Sequence, residues 1–193
     1  MSHLKGGGID EKTFPPFESI RQAFGFLPNF FRAQTLRPDL IEAEVNLIGG
    51  VLVQAQEGGL ERRQKEYIFL VCSAANMSTY CVTAHCEIVR GLHLGGPEPE
   101  QIAIDHLNTD LPMADKALLS FARKLNATAR KVDADDIEEL RTFGFSDQQI
   151  LEAIITVGIA HFANVLAYGL GTVPDFDSTK VEAVLSRLEP ALR

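Results

Sequence analysis

Three side chains that can do chemistry together, Glu66, Cys81 and His85, lie close to one another in the sequence. Cys81 and His85 are four residues apart, so on a helix they share one face within contact range. Ser78 suits the N-cap of that helix, because its hydroxyl can accept an orphan backbone N–H of the first turn. Cys81 then lies in the first turn, where the helix dipole favours negative charge and lowers the pKa of a thiol. The spacing predicts a reactive thiolate with a base one turn away.

Glu66 belongs to the preceding predicted helix. If the two helices form a hairpin that turns near Asn76–Met77, Glu66 lies about ten residues, or roughly 15 Å, below the turn. Cys81 lies only a few residues below it, so Glu66 is closer to the level of His85 than to that of Cys81. We expect a chain from Glu66 to His85 to Cys81, direct or through a water. In such a chain an acid orients the base that activates the thiol.

Composition and charge narrow the class of protein. The chain has 193 residues, 46% of them apolar and 23% charged, as in ordinary soluble domains. Its net charge of −8 argues against a nucleic-acid surface, and the first residues contain no apolar secretion signal. The most apolar stretch, 150–170, includes Glu152, His161 and Asn164, which disfavours a membrane span. Three cysteines cannot all pair, and we expect them to be reduced in a cytoplasmic protein.

Helical periodicity dominates the chain, and no alternating pattern predicts a strand. We expect a flexible leader over residues 1–13 and a single all-α domain over residues 14–193. Gly49–Gly50, inside a predicted helix, favours a bend or close packing there. The predicted helices cover residues 17–24, 28–36, 39–54, 60–76, 78–91, 97–106, 112–130, 137–143, 147–168 and 179–188.

Two of these helices share an internal sequence similarity. Residues 61–71 align with residues 147–157 at a fixed offset, and Glu66 then matches Glu152. The apolar positions that follow agree as well. We interpret this as a two-fold helical repeat in which only the first copy keeps a thiol.

The motif residues resemble those of the carboxymuconolactone decarboxylase/alkylhydroperoxidase D-like superfamily, and in particular its peroxidase-related branch. The family pattern is a Glu, then Cys-x-x-Cys, then a His four residues after the second Cys; Glu66, Cys81 and His85 match it in spacing. The segments 26–32 with 36–40, and 162–164 with 169–175, also resemble that branch, so the likeness covers about residues 14–176. The resemblance implies an alkylhydroperoxidase D-like helical bundle, a homo-oligomer, no cofactor and thiol-dependent reduction of hydroperoxides.

The chain departs from the family pattern at Ser78, which stands where the first cysteine belongs. In relatives with both thiols the resemblance implies that one cysteine reduces the peroxide and the other resolves it. Cys86 sits about 140° round the helix from Cys81 and roughly 8 Å away, beyond disulfide reach; we interpret it as a packing or interface residue. Cys72 is interpreted as a small buried hydrophobe. A peroxidase cycle is therefore expected to pass through a sulfenic acid that an external thiol resolves.

Other polar residues receive plainer interpretations. Tyr80 can wall the site or simply pack. His161 and Asn164 give a polar face to an apolar helix, and we expect a satisfied buried pair or an interface contact there. His3, His93 and His106 have no partner pattern.

Three hypotheses remain open. The first is a peroxidase that acts on hydrogen peroxide or a small organic hydroperoxide. In this hypothesis Cys81 is the nucleophile and His85 is its base. Glu66 orients His85 and relays the proton, and Ser78 supports the thiolate. The second is a cofactor-free lyase of the lactone-decarboxylase kind, which should bind an anion; near the motif only Arg90 offers a positive charge, which counts against it. The third is a non-catalytic redox sensor or scaffold. A metal site is not expected, because a fourth ligand at proper spacing is absent.

Overall fold

The computed structural model describes residues 2–5, 7 and 9–188, and within them the fold is all α-helical, as predicted. Residues of the predicted leader at positions 1, 6 and 8, and the end of the predicted domain at 189–193, lie outside the described residues. The division into leader and domain stays a prediction. The α-helices are α1 Pro15–Phe24, α2 Asn29–Arg32, α3 Pro38–Ile48, α4 Arg62–Ala75, α5 Thr79–Gly91, α6 Pro99–Asp105, α7 Met113–Thr128, α8 Ala134–Thr142, α9 Asp147–Leu170 and α10 Thr179–Leu185.

The centre of the fold is the hairpin of α4 and α5. Every residue of α4 from Lys65 to Ala74 is buried, and α4 packs against α5, α6, α7 and α9. Its C-terminus is closed by two backbone bonds, from Met77 N to Ala74 O at 2.9 Å and from Ser78 N to Ser73 O at 2.8 Å. This is the Schellman arrangement, in which the residue after the cap adopts a left-handed conformation; here that residue is Met77, with φ 59°. The turn fixes where α5 begins and so where Cys81 stands.

Helix α9 is the long apolar helix that packs on α4, α5 and α7. A capping box opens this helix: the Ser146 hydroxyl accepts from Gln149 N, and the Gln149 side chain accepts from Ser146 N. By length and composition alone α9 could cross a membrane, but half of its most apolar window is buried inside the protein. A core helix of a soluble protein has the same properties.

The helix predicted over residues 39–54 is wrong in its last turn. The α-helix α3 ends at Ile48, and Gly49–Val53 form a π-helical turn. The side chains of two α4 residues hold this turn by its carbonyl groups: Arg62 Nη1 donates to Leu52 O at 2.8 Å, and Lys65 Nζ donates to Val51 O at 2.9 Å. Because these contacts are tertiary, they are invisible in local periodicity.

Two segments distant in sequence meet above α5. The carboxylate of Asp175 accepts the backbone N–H of Asn29, 3.0 Å away, at the start of α2. Phe26 packs edge-to-face against Phe176, with ring centroids 5.4 Å apart. The segment before α2 and the segment after α9 thereby form one wall over the motif helix.

The internal two-fold repeat stays a prediction. The two segments concerned lie in α4 and α9, which pack directly on each other. Glu66 and Glu152, the matched acids, have different partners: Glu152 accepts from Leu60 N at 2.7 Å and lies 3.4 Å from Lys65 Nζ.

Candidate active site

A cavity of about 800 Å³ lies between the motif helices and the N-terminal segments. Cys81, His85 and Tyr80 line it, and its other walls are largely apolar and rich in aromatic rings. The remaining lining residues are Phe24, Phe26, Pro28, Phe30, Phe31, Ile48, Leu52, Val53, Arg62, Phe69, Ala84, Glu87, Ile88, Gly91, Leu92, Ala163, Asp175 and Phe176. Pockets of this size and lining hold small organic molecules.

His85 and Glu66 form a direct pair. His85 Nδ1 lies 2.5 Å from Glu66 Oε2, and Glu66 is fully buried. The imidazole also stacks on Phe69, with ring centroids 4.1 Å apart. The carboxylate and the phenyl ring together hold the imidazole in one orientation. With Nδ1 engaged by Glu66, Nε2 is the ring nitrogen left to exchange a proton.

Arg62 is the site residue that the sequence interpretation missed. Its Nε donates to Glu66 Oε1 at 2.6 Å while its Nη1 donates to the carbonyl of Leu52. Burial favours the neutral form of Glu66, but the charges of His85 and Arg62 outweigh it and lower the pKa of Glu66. The i, i+4 spacing of Arg62 and Glu66 on α4 is typical of an ion pair on one helix face, so this contact could have been predicted from the sequence.

The environment of Cys81 differs from the expectation. The residue is 3% exposed, and burial raises the pKa of its thiol although it lies in the first turn of α5. Loss of hydration at the sulfur outweighs the helix terminus. Among the described residues no hydrogen bond joins Cys81 to His85, so the predicted chain is direct only at its Glu66–His85 step. Both side chains nevertheless face the same cavity.

Ser78 is the N-cap residue of α5, but the predicted side-chain cap is wrong, because its hydroxyl makes no capping bond. Burial raises the pKa of the Cys81 thiol, and the polar side chains of Ser78 and Asn164 oppose that larger effect. Both residues are 2% exposed.

Tyr80 lines the cavity and forms hydrogen bonds with two other segments that line it. The hydroxyl donates to Asp175 Oδ2 at 2.8 Å and accepts from Phe30 N at 3.2 Å. Its ring stacks on that of Phe30, with centroids 6.0 Å apart. Burial and the neighbouring Asp175 raise the pKa of Tyr80, so the phenol stays protonated.

The other cysteines lie away from this arrangement. All three cysteines are free and buried. Burial raises the pKa of Cys72 to about 12, and its sulfur lies 3.8 Å from the carbonyl of Ala122 on α7. Burial also raises the pKa of Cys86, which neighbours the carboxylate of Glu100. Neither Cys72 nor Cys86 lines the cavity.

Arg90, the basic residue that the sequence singled out, does not line the cavity. Its guanidinium is held by Glu100 at 2.5 Å, with Glu87 and Glu98 also in the cluster, which Lys180 joins. The guanidinium that lines the cavity belongs to Arg62, and Glu66 neutralises it. The lining therefore offers no unpaired cation among the described residues.

His161 and Asn164 differ in their exposure to solvent. His161 is exposed and its Nδ1 lies 3.3 Å from Asn126 Oδ1, whereas Asn164 is buried beside Cys81. The expectation that the two form one polar face missed this division. No group of three metal-ligating side chains is found within residues 2–5, 7 and 9–188.

No protein-family model matches the chain, and no curated protein sequence matches it. Solved structures do. An uncharacterized peroxidase-related protein from Ralstonia eutropha JMP134, with an alkylhydroperoxidase AhpD core, superposes with a TM-score of 0.81, 26% identity, and coverage of 92% of this chain and 94% of that one. An uncharacterized peroxidase-related protein from Silicibacter sp. TM1040 gives a TM-score of 0.81 at 21% identity, covering 95% of each chain.

The debrominase Bmp8 has the same fold. A cysteine-to-alanine form of it in complex with 2,3,4-tribromopyrrole superposes with a TM-score of 0.75 at 19% identity, covering 100% of both chains. These neighbours confirm the alkylhydroperoxidase D-like fold and the resemblance to the carboxymuconolactone decarboxylase/alkylhydroperoxidase D-like superfamily. They include peroxidase-related proteins and an enzyme of another activity, so the fold alone leaves the reaction open.

Proposed function

We propose that this protein is a thiol-dependent hydroperoxidase that uses Cys81 as its nucleophile and an external thiol as its reductant. One observation carries the proposal: the Cys81 thiol and the His85 imidazole paired with Glu66 line the same apolar cavity. A nucleophile, a base and a group that orients the base are the parts that covalent catalysis requires. The peroxidase-related structural neighbours support the same class of activity.

The first step transfers one oxygen atom. His85 Nε2 takes the proton of the Cys81 thiol, directly or through a water, and the sulfur attacks the outer oxygen of ROOH. The S–O bond forms as the O–O bond breaks, and the leaving alkoxide takes the proton from His85 to give ROH. The sulfur is oxidised to a sulfenic acid, and the peroxide is reduced. Glu66 stabilises the imidazolium that exists between the two proton transfers.

The raised pKa of Cys81 makes this base necessary. A buried thiol that is protonated at neutral pH is a weak nucleophile until a neighbouring group removes its proton. Arg62 helps to keep Glu66 ionised, and the Glu66 carboxylate fixes the orientation of the His85 imidazole that accepts the proton. Arg62 thus acts through Glu66 as a positioning residue.

The second step requires a thiol from outside the chain. Ser78 replaces the first motif cysteine, and Cys72 and Cys86 are buried away from the cavity. An external thiol R′SH attacks the sulfenic acid, releasing water and leaving a mixed disulfide on Cys81. A second R′SH then releases the Cys81 thiol and forms R′SSR′.

The walls of the cavity favour an organic hydroperoxide over hydrogen peroxide. Seven aromatic rings contribute to the lining: Phe24, Phe26, Phe30, Phe31, Phe69, Tyr80 and Phe176. Because burial of apolar area provides binding free energy, an aryl or alkyl group on the peroxide adds affinity that hydrogen peroxide lacks. The carboxylates of Glu87 and Asp175 in the lining disfavour anionic peroxides. This charge distribution also disfavours the lactone-decarboxylase alternative.

The test is the intact mass of the reduced protein after one equivalent of cumene hydroperoxide, with Cys81→Ser and Cys86→Ser as matched variants. We expect one added oxygen, or a thiol adduct on trapping, in the wild type and in Cys86→Ser but not in Cys81→Ser. Loss of two hydrogens would instead reveal an internal disulfide and overturn the external-thiol step. An unchanged mass would overturn the proposed peroxidase activity. It would also count against the redox-sensor hypothesis, because that hypothesis requires oxidation of Cys81.

A second candidate, reductive dehalogenation of an aromatic substrate, is favoured by the same aromatic lining around a thiol and by the fold neighbour Bmp8. In this reaction the Cys81 sulfur takes the halogen, the ring carbon takes a proton, and external thiol releases halide as it forms a disulfide. Incubation with 2,3,4-tribromopyrrole and a thiol, followed by measurement of bromide, tests it. Bromide release that Cys81→Ser abolishes would support this activity; no release would remove it.

We also propose a cytoplasmic homo-oligomer that associates through α9. One face of α9 is exposed and apolar, with Gly158 at its middle: Leu151, Ile154, Ile155, Phe162 and Val165. Exposed apolar patches of this kind mark interfaces. Light scattering should give the mass of an oligomer for the wild type and a lower mass for Phe162→Asp. Leu107→Asp, which removes an exposed apolar side chain elsewhere, should leave the mass unchanged.

A further inference from the structure

Asp175 brings a negative charge without a counter-ion to the lining of the cavity. Its carboxylate accepts hydrogen bonds from the backbone N–H of Asn29, at 3.0 Å, and from the Tyr80 hydroxyl, at 2.8 Å. Both donors are neutral, so they fix the orientation of the carboxylate without cancelling its charge. Within residues 2–5, 7 and 9–188 no Lys, Arg or His side chain forms an ion pair with it. A half-buried carboxylate of this kind attracts a cation.

The other charged side chains of the lining are already paired. The Arg62 guanidinium lies 2.5 Å from the Glu66 carboxylate, and the Glu87 carboxylate lies 2.9 Å from the guanidinium of Arg90. With the imidazole base neutral, as its proposed role requires, the surplus charge of the described lining is the negative charge of Asp175. The net charge of −8 on the chain also favours the approach of a cation.

Four aromatic rings of the lining lie around this carboxylate. Phe176 follows Asp175 in the chain and packs edge-to-face against Phe26, with ring centroids 5.4 Å apart. Tyr80, whose hydroxyl reaches the carboxylate, stacks on Phe30 with an interplanar angle of 22°. The faces of aromatic rings attract cations, and rings grouped in this way are used to recognise ammonium ligands. The carboxylate and the rings therefore favour the same kind of ligand.

We propose that the cavity binds an organic cation, in which an ammonium group is carried on an aryl or alkyl body and lies between Asp175 and the four rings. The body occupies the apolar remainder of a cavity of about 800 Å³. A neutral molecule of the same shape gains the apolar contacts alone. An organic anion is repelled by the carboxylate.

This inference deepens the proposed function, on which it rests for the reaction: the substrates become organic hydroperoxides that carry an ammonium group. Tyr80 precedes Cys81 on α5 and bonds Asp175, so the cation site and the nucleophile border the same cavity. Binding of the cation requires no peroxide and can be measured apart from the reaction.

The experiment is a fluorine NMR titration of the protein with two probes of the same shape. One is (para-fluorobenzyl)trimethylammonium, and the other is its neutral isostere, para-fluoro-neopentylbenzene. The quantity compared is the ratio of the two dissociation constants. We expect the wild type to bind the cation more tightly than the isostere. In Asp175→Asn this preference should fall about fivefold, the upper end for an ion pair that is partly exposed.

The neutral probe separates charge from structure. If Asp175→Asn disturbs the wall of the cavity, both probes lose affinity together and the ratio does not move. Asp177→Asn is the matched control, because it makes the same change at an exposed carboxylate two residues further along, outside the lining, and should leave the ratio unchanged. If Asp175→Asn fails to fold, Phe176→Leu provides the test. It keeps apolar bulk and removes a ring face, so the preference should fall about threefold.

The position of the bound cation is tested at the thiol. A saturating concentration of (para-fluorobenzyl)trimethylammonium should slow the modification of Cys81 by methyl methanethiosulfonate, followed on the Cys81-containing peptide. Binding that leaves this rate unchanged would locate the probe elsewhere and overturn the assignment. Equal or tighter binding of the neutral isostere by the wild type would also overturn it, as would an unchanged ratio in folded Asp175→Asn.

The proposed function fails separately. If cumene hydroperoxide does not oxidise Cys81 but the wild type prefers the cation and Asp175→Asn loses that preference, the cation site holds and the peroxidase does not. If cumene hydroperoxide oxidises Cys81 but the cation is not preferred, the peroxidase holds and the cation site fails.

Discussion

His85 Nδ1 lies 2.5 Å from Glu66 Oε2, and this contact joins α5 to α4 at a residue that lines the cavity. The carboxylate is fully buried, and its other oxygen accepts from Arg62. A buried carboxylate shared between an imidazole and a guanidinium holds the imidazole in one orientation. The contact thus fixes the direction in which His85 can exchange a proton with groups in the cavity.

Glu66→Gln keeps the shape of this contact and removes its charge. We expect the rate of Cys81 oxidation by cumene hydroperoxide to fall about 10²-fold, the lower end of what general acid–base catalysis contributes. Stopped-flow measurement of the single oxidation step checks this. Glu87→Gln makes the same charge change elsewhere in the cavity lining and should alter the rate little. Equal rates for Glu66→Gln and the wild type would remove Glu66 from the mechanism.

Arg62→Met removes one of the two charges that lower the pKa of Glu66. A carboxylate with a lowered pKa contributes stability that is present above its ordinary pKa and is lost as pH falls through the lowered value. In the variant, Glu66 should therefore become protonated at a higher pH. The acid limb of the profile of Cys81 oxidation rate against pH should move toward neutrality, and below the pKa of Glu66 the rate should fall about tenfold per pH unit.

The control for Arg62→Met is Arg62→Lys, which keeps the positive charge and gives up the planar donor pair. Its acid limb should lie between those of the wild type and of Arg62→Met. Profiles of oxidation rate from pH 5 to 9 provide the comparison. Superimposable profiles for all three proteins would show that Arg62 serves only to hold the carbonyl of Leu52.

Much of this site could be predicted from local sequence. The spacing of Cys81 and His85 on α5 and the hairpin after α4 place Glu66 level with His85, and these depend only on helix geometry. The pKa of Cys81 could not be predicted in this way. It depends on how deeply distant elements bury the sulfur, and burial opposes the helix dipole that the sequence makes visible.

The contacts that sequence reasoning missed are tertiary. Asn164 lies beside Cys81 because of the rotational position of α9 on α4, which no local pattern fixes. The π-helical turn at Gly49–Val53 forms against Arg62 and Lys65 of α4, whereas Gly49–Gly50 indicates only a weak point in a helix. Such features become predictable only when the packing of whole helices is known.

Glu44 on α3 gives a pH dependence of stability that is separate from the site. It is 6% exposed, and neither carboxylate oxygen accepts a hydrogen bond of normal geometry from the described residues. Burial raises its pKa to about 7, with the nearby Gln34 amide opposing. Stability from the neutral carboxyl is fully present below the ordinary pKa of a Glu and is lost as pH rises through about 7.

We therefore expect Glu44→Gln to be more stable than the wild type at pH 8, by up to about 3 kcal/mol, and equally stable near pH 4. Urea unfolding at a series of pH values measures the difference. Glu42→Gln changes an exposed carboxylate of the same helix and should follow the wild type. A difference between Glu44→Gln and the wild type that stays constant with pH would show that Glu44 does not titrate in this range.

His93 ends α5 in the left-handed conformation, with φ 51°, although its side chain is exposed. The bonds from His93 N to Arg90 O at 3.0 Å and from Leu94 N to Val89 O at 3.1 Å form a Schellman arrangement, where glycine is favoured. A left-handed residue with a Cβ costs about 1–2 kcal/mol, and the greater freedom of unfolded glycine offsets about 0.5–1 kcal/mol of this. His93→Gly should therefore raise the free energy of unfolding by about 0.5–1 kcal/mol. His93→Ala keeps the Cβ and should give no such gain, and equal unfolding curves for the two variants would contradict the left-handed assignment.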